Sequence, residues 1–343
     1  WIYLFVLVLN IEISIKLFFI GALFMISSSG FAALGFYLNN YFDIESDKIS
    51  GKKNSLSHLS LKSKIKTFLL IIFILFVPWF WLPSNHISWG LMFLEIILFL
   101  IYSHPSIRLK ETWFLAGIID ALYAYLIPFL LCFYTFSLFS DRLSQINIFS
   151  LGIAFFLVGY SNILIHQIND LEYDLRTGIK TLPMVLGFHN SIKTVKIGII
   201  LEGFFFLYFC LFDAGNLALG IVLGVFYLYY ILIIYNLETH VSKIHPHNHF
   251  YQIYFPIILL VIILLEHHLV FLILIPHILL FVPGFIKKSV AHFIKIESNS
   301  FFFGIVHYIK EILYSIICYL IKKVTGDDLA KENKSIIKYF KRK

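Results

Sequence analysis

Asn39, Asp43 and Asp47 stand four residues apart, and so do Asp170 and Asp174, which run on to Gly178 and Thr181-Leu182-Pro183. On a helix, residues four apart share one face, roughly 6 Å from each other. Each group therefore draws a line of hard oxygen donors along one side of a helix end. Such donors suit Mg²⁺. Two lines facing each other would hold two or more ions with a diphosphate between them. The lines also reach back into apolar sequence, through Gly35 and Asn39 in one case and through Asn162 and His166 in the other. Polar residues on one face of an apolar helix are expensive unless they line a cavity.

The elements that must position these residues are membrane helices. The chain of 343 residues is 59% hydrophobic, 18% aromatic and 14% charged, with a mean hydropathy of +0.86. A soluble domain carries about 25% charge. The apolar runs are continuous rather than alternating, which excludes a barrel and leaves a polytopic helical protein. Spans are expected at 1–9, 15–40, 65–82, 87–103, 113–138, 146–168, 193–212 and 217–236. The stretch 251–286, interrupted by Glu266-His267-His268, reads as two more. The fold class is therefore all-α, with about nine to ten transmembrane helices. Because the chain begins at Trp1, its first span is expected to be clipped.

Basic residues set the orientation. Lys48, Lys52, Lys53, Lys62, Lys64 and Lys66 crowd one loop, Arg108 and Lys110 a second, and Arg176, Lys180, Lys193 and Lys196 a third. The alternate connections are nearly bare. This places both acidic groups on the cytoplasmic side of a multi-pass protein of the cell inner membrane. The net charge of +7 is thus a mark of topology and of contact with membrane lipid, not of nucleic acid. Residues 1–286 form the transmembrane domain, and residues 287–343 form a basic, partly amphipathic cytoplasmic tail. Cys132, Cys210 and Cys318 lie in apolar surroundings with no paired spacing, so they read as packing residues. His245, His247 and His249 alternate in a loop and read as a polar connection rather than a metal site.

The motifs resemble those of the UbiA superfamily of intramembrane prenyltransferases. Its first signature is similar to Asn39-Asn40-Tyr41-Phe42-Asp43-Ile44-Glu45-Ser46-Asp47, with Asn40 where the family often has Asp. Its second is similar to Asp170-Leu171-Glu172-Tyr173-Asp174-Leu175-Arg176-Thr177-Gly178. Its tyrosine–basic segment is similar to Tyr102-Ser103-His104-Pro105-Ser106-Ile107-Arg108-Leu109-Lys110. The three stand in the family's order, on the expected loops.

The resemblance implies helices around a central cavity open to lipid. It also implies Mg²⁺-dependent transfer of a polyprenyl group from a polyprenyl diphosphate donor to a lipophilic acceptor, aromatic or quinone-precursor in kind, releasing diphosphate. Asn39, Asp43 and Asp47 would hold one ion, and Asp170 and Asp174 another. Tyr102, Arg108, Lys110, His166 and Lys180 would bind substrate. Tyr37, Tyr41 and Tyr160 are further aromatics near the helix ends that a carbocation would meet. A branch of the same superfamily transfers phosphoribose to polyprenyl phosphate, and it is the main alternative. A CDP-alcohol-type transferase is disfavoured by the absence of its compact Asp-x-x-Asp-Gly motif. A transporter is disfavoured because its carboxylates belong near the bilayer midplane.

Overall fold

The computed structural model describes residues 2–51, 53–140, 147–171, 174–175, 180–213, 219–225, 227–228 and 255–266. Among these residues the regular structure is entirely helical. The chain divides into two compact units, Trp1–Leu272 and Ile273–Lys343, and the second contains no described residue. The domain boundary after residue 286, the amphipathic tail and the two histidine groups lie outside the described residues.

In chain order the helices are α1 (Ile2–Val8), α2 (Ile15–Phe42), α3 (Ile44–Ser50), α4 (Leu61–Phe76) and α5 (His86–Ser103). They are followed by α6 (Leu115–Ala121), α7 (Ile127–Ser137), α8 (Phe149–Asn169), α9 (Leu182–Leu186), α10 (Phe188–Tyr208) and α11 (Phe255–Glu266). A turn of π-helix, Leu122–Leu126, joins α6 to α7 without a break, and a 3-10 turn, Val77–Phe80, extends α4. Six of these elements are long and apolar enough to cross a membrane: Ile15–Phe42, Leu61–Phe80, His86–Ser103, Leu115–Ser137, Phe149–Asn169 and Phe188–Asp213. Each coincides with an expected span. Of the other expected spans, 1–9 is described as the short helix α1 and the first part of 251–286 as α11, whereas the rest of 251–286 and about half of 217–236 lie outside the described residues.

Local chemistry starts these helices where the sequence turns polar. The Ser14 hydroxyl accepts from the amide of Leu17, Ser60 from Ser63, and the Asn85 amide oxygen from Ser88. Each satisfies a backbone donor that the first helical turn leaves free.

Without a hydrophobic drive between helices in lipid, close packing and interhelical hydrogen bonds hold the bundle. Tyr37 Oη donates to the carbonyl of Lys64, and Ser27 Oγ donates to that of Leu75 at 2.8 Å. The end of α2 therefore lies beside the start of α4, and the two run antiparallel. Trp79 Nε1 in turn donates to Ser27 Oγ at 2.7 Å. Gly198 against Ser161 and Ser150 bonded to Asp213 set α8 and α10 antiparallel in the same way. At Gly30 backbone meets backbone, since an added Cβ would stand 2.7 Å from Leu75 Cα. Backbone cannot yield to that contact. Gly30→Ala should destabilise the protein by about 1–3 kcal/mol, seen as a lower unfolding temperature in detergent. Gly21→Ala is the control, because nothing lies within 4 Å of its added methyl. Equal effects at the two positions would contradict this packing.

Candidate active site

Helix α2 ends at Phe42 and α3 begins at Ile44, with Asp43 as the hinge between them. The helical hydrogen-bond spacing nonetheless runs through it. Asp43 N donates to Asn39 O at 3.0 Å, and Asp47 N to Asp43 O at 2.8 Å. The second motif repeats the device at the end of α8: Asp170 N donates to His166 O at 3.1 Å, and Asp174 N to Asp170 O at 2.9 Å. The four-residue spacing is thus realised as helical turns in both places.

The tyrosine–basic segment folds over the first motif. It leaves α5 at His104 and returns through a short 3-10 turn, Leu109–Glu111. Lys110 Nζ donates to Asn39 Oδ1 at 2.9 Å and pairs with Asp43 Oδ2. Arg108 Nη2 pairs with Asp43 Oδ1 at 3.2 Å, and Arg108 Nε lies 2.8 Å from Glu111 Oε1. The Asp43 side chain, 12% exposed, therefore has a cation on each oxygen. Arg108 achieves this with a left-handed backbone, φ 48 and ψ 52. That region is unfavourable for a residue with a Cβ, and such strain persists where the surroundings over-determine it. Burial pushes the Lys110 ammonium down from its ordinary range, and its bond to Asp43 opposes that push.

The other predicted residues are placed as follows. Asp47 turns to Asn54, whose amide donates to it at 2.8 Å and to the carbonyl of Asn40 at 2.7 Å. Asp174 is buried and accepts from the Thr181 hydroxyl at 3.0 Å. His166 Nδ1 lies 3.2 Å from Asp170 Oδ2. Lys180 is exposed beside Thr181. Tyr102 packs edge-on against Tyr123 at 5.2 Å, and Tyr123 donates to Asp120. Tyr160 packs against Gly117 of α6. Tyr37 and Tyr41 stack on each other on the side facing α4.

Helix packing relates the two motifs: α2 packs on α5, α5 on α6, and α6 on α8. Along this path Tyr102 packs on Tyr123, Tyr123 donates to Asp120, and α8 carries His166 beside Asp170. Asn54 and Asp120 do not belong to the sequence motifs. Asn54 sits in a loop where asparagine is commonplace. Asp120, by contrast, had a signal, as a carboxylate inside the apolar run Leu115–Ser137.

The donor set is suited to a divalent cation. Among the described residues no three acidic or histidine side chains converge on one point. Mg²⁺ does not need them to, since it is commonly held by one or two carboxylates together with substrate phosphates. Lys110 Nζ already stands as a cation between Asn39 Oδ1 and Asp43 Oδ2. Hard oxygens therefore converge on a positive charge there, with further basic charge alongside for a phosphate.

The sequence profile of the UbiA prenyltransferase family matches residues 1–254. Among solved structures, the chain is similar to the apo structure of a UbiA homologue from Aeropyrum pernix K1, at 15% identity and a TM-score of 0.58, covering 77% of this chain and 94% of that one. It is also similar to a UbiA homologue from Archaeoglobus fulgidus bound to GPP and Mg²⁺, at 16% identity and a TM-score of 0.54, covering 71% and 86%. The same homologue bound to DMAPP and Mg²⁺ aligns at 17% identity and a TM-score of 0.53, covering 70% and 83%. Comparison with curated proteins gives no match.

Proposed function

Since the chain belongs to the UbiA prenyltransferase family, we propose that it transfers a polyprenyl group from a polyprenyl diphosphate to a lipophilic acceptor within the membrane, with Mg²⁺ as cofactor. The observation that carries this reading is the meeting of Asn39 and Asp43 with two part-buried basic side chains, Arg108 and Lys110, at the ends of α2 and α5, with a second helical line of oxygen donors at the end of α8. Similar folds from Archaeoglobus fulgidus bind GPP or DMAPP with Mg²⁺, which supports the same substrate class here.

In this reading Asn39, Asp43 and Asp47 would hold one ion and Asp170 and Asp174 another, and the bound ions would supply Lewis-acid neutralisation of the diphosphate leaving group. Lys110 and Arg108, already beside Asp43, give charge-assisted hydrogen bonds to the same phosphates. Thr181 fixes the rotamer of Asp174, and Asn54 that of Asp47. Phe99, Tyr102 and Tyr123 pack edge to face, with centroids 4.8 and 5.2 Å apart, just inside the first motif. The faces of Phe99 and Tyr102 would stabilise a developing allylic cation and keep water away from it. The loops carrying this charge face the cytoplasm, by the lysine and arginine bias of the sequence.

The test is diphosphate release from geranylgeranyl diphosphate by the purified protein in lipid vesicles, with a total lipid extract as acceptor source and products read by mass spectrometry. Release that needs Mg²⁺, stops with EDTA and yields a prenylated adduct is expected. No release with donors of any length, together with transfer of phosphoribose onto polyprenyl phosphate, would overturn the reading in favour of the phosphoribosyl branch.

A further inference from the structure

Asp120 belongs to neither motif and lies in the apolar span Leu115–Ser137, on the last turn of α6. A carboxylate in such a span is costly and marks function by default. Three features show that the fold is arranged around it. First, Tyr123 Oη donates to Asp120 Oδ1 and packs edge-on against Tyr102 of α5. The second oxygen, Oδ2, has no hydrogen-bond partner among the described residues. Second, the π-turn Leu122–Leu126 starts two residues later. Such insertions recur at functional sites because the extra residue re-aims side chains. Here the π-turn carries both Tyr123 and Tyr125. Third, small residues of the α6–α8 contact let this group approach α8. Gly159 admits Tyr125, since a Cβ added at Gly159 would stand 2.8 Å from Tyr125 Cδ2, and Tyr125 accepts from Asn162 Nδ2 at 2.5 Å.

The position matters as much as the chemistry. Through Tyr123, Asp120 is joined to Tyr102 of α5, the helix that leads into the Arg108–Lys110 loop on Asp43, and its own helix α6 packs on α8, which ends in the His166–Asp170 pair. It thus stands between the two motifs. Asp120, Tyr102, Tyr123, Tyr125 and Asn162 all keep partial exposure although they come from helices packed on one another. They therefore line a space rather than fill a core.

We propose that Asp120, held by Tyr123, forms the acceptor subsite: it receives a hydroxyl-bearing lipophilic molecule and takes the hydroxyl proton during transfer. This rests on the prenyl-transfer reading above. The C1–oxygen bond of the donor breaks with its electron pair leaving on the diphosphate. The acceptor O–H proton passes to Asp120 Oδ2. The electron pair so released forms the new bond to C1, either on the oxygen itself or on the ring carbon ortho to it in a phenol; in the second case the ring carbon then loses its proton to water and the Asp120 carboxyl returns its proton to the oxygen, restoring the phenol. Asp120 is a catalytic residue in this scheme, and Tyr123 is a positioning residue that acts through it.

The experiment separates donor chemistry from acceptor chemistry. The full chain in vesicles is given geranylgeranyl diphosphate, Mg²⁺ and total lipid extract, and diphosphate, free prenyl alcohol and adduct are quantified together. Asp120→Asn should lower adduct by at least about 100-fold while diphosphate release stays within about threefold of wild type, the difference appearing as prenyl alcohol. Tyr123→Phe should lower adduct by about tenfold with the same diversion. If Asp120→Asn shows no cooperative unfolding transition, Tyr123→Phe carries the test. Adduct at the wild-type rate in the variants overturns the proposal, and so does equal loss of diphosphate release and adduct, which would place Asp120 on the donor side. Adducts made only at atoms other than a hydroxyl or its ortho carbon overturn the hydroxyl assignment. A wild type that releases no diphosphate is a different failure, that of the prenyl-transfer reading itself.

Discussion

Asp43→Asn should lower metal-dependent diphosphate release by about 10²–10³-fold, the scale on which losing one electrostatic contact at a reacting centre is felt. Asparagine keeps the shape and one acceptor oxygen but removes the charge that Arg108 and Lys110 share. The residual positive charge would then repel an incoming divalent cation instead of being balanced by the carboxylate. The apparent affinity for Mg²⁺ should fall together with turnover. Titrating Mg²⁺ against initial rate, with an unfolding transition recorded in parallel, separates this from instability. Removing a partner from a buried ion pair costs up to about 3–5 kcal/mol, and partial exposure of Arg108 and Lys110 reduces that figure here. A folded Asp43→Asn protein with turnover within tenfold of wild type would sink the role assigned to the first motif.

The second motif makes a graded prediction. Asp174→Ala should cost about 10²–10³-fold in turnover, because it removes a charged ligand outright. Thr181→Val should cost only about tenfold, because the hydroxyl at 3.0 Å orients the carboxylate without replacing it. Both residues are buried, so both variants lose a hydrogen bond inside the protein. The contrast between them carries the information. If Thr181→Val is as damaging as Asp174→Ala and lowers the unfolding temperature equally, the pair serves the fold rather than the chemistry.

Two other residues show how local context limits a sequence reading. Lys180 adjoins the second motif in sequence, as Lys110 follows the tyrosine segment. Lys110 reaches two oxygens of the first motif, whereas Lys180 is exposed and no contact ties it to Asp170 or Asp174 among the described residues. A basic residue in a cytoplasmic loop is expected from topology alone. Only the path of the chain after Ser103 distinguishes one that reaches an acidic motif from one that does not.

The spans and the spacing of the motifs were determined by the sequence alone. Lipid cannot satisfy backbone groups, so an apolar run of sufficient length has to become a helix. Once Asn39, Asp43 and Asp47 are helical, their common face follows from 3.6 residues per turn. The pairings were not determined in this way. Arg108 and Lys110 meet Asp43 across 65 and 67 residues, and Asp120 comes between Tyr102 and His166 through the packing of α5, α6 and α8. Such meetings depend on where glycines such as Gly30, Gly117 and Gly159 let backbones approach. They also depend on where a π-turn re-aims side chains and on how a loop folds back with a left-handed arginine. Those are properties of tertiary packing, in which each contact is fixed by many others at once, and no local pattern of residues encodes them.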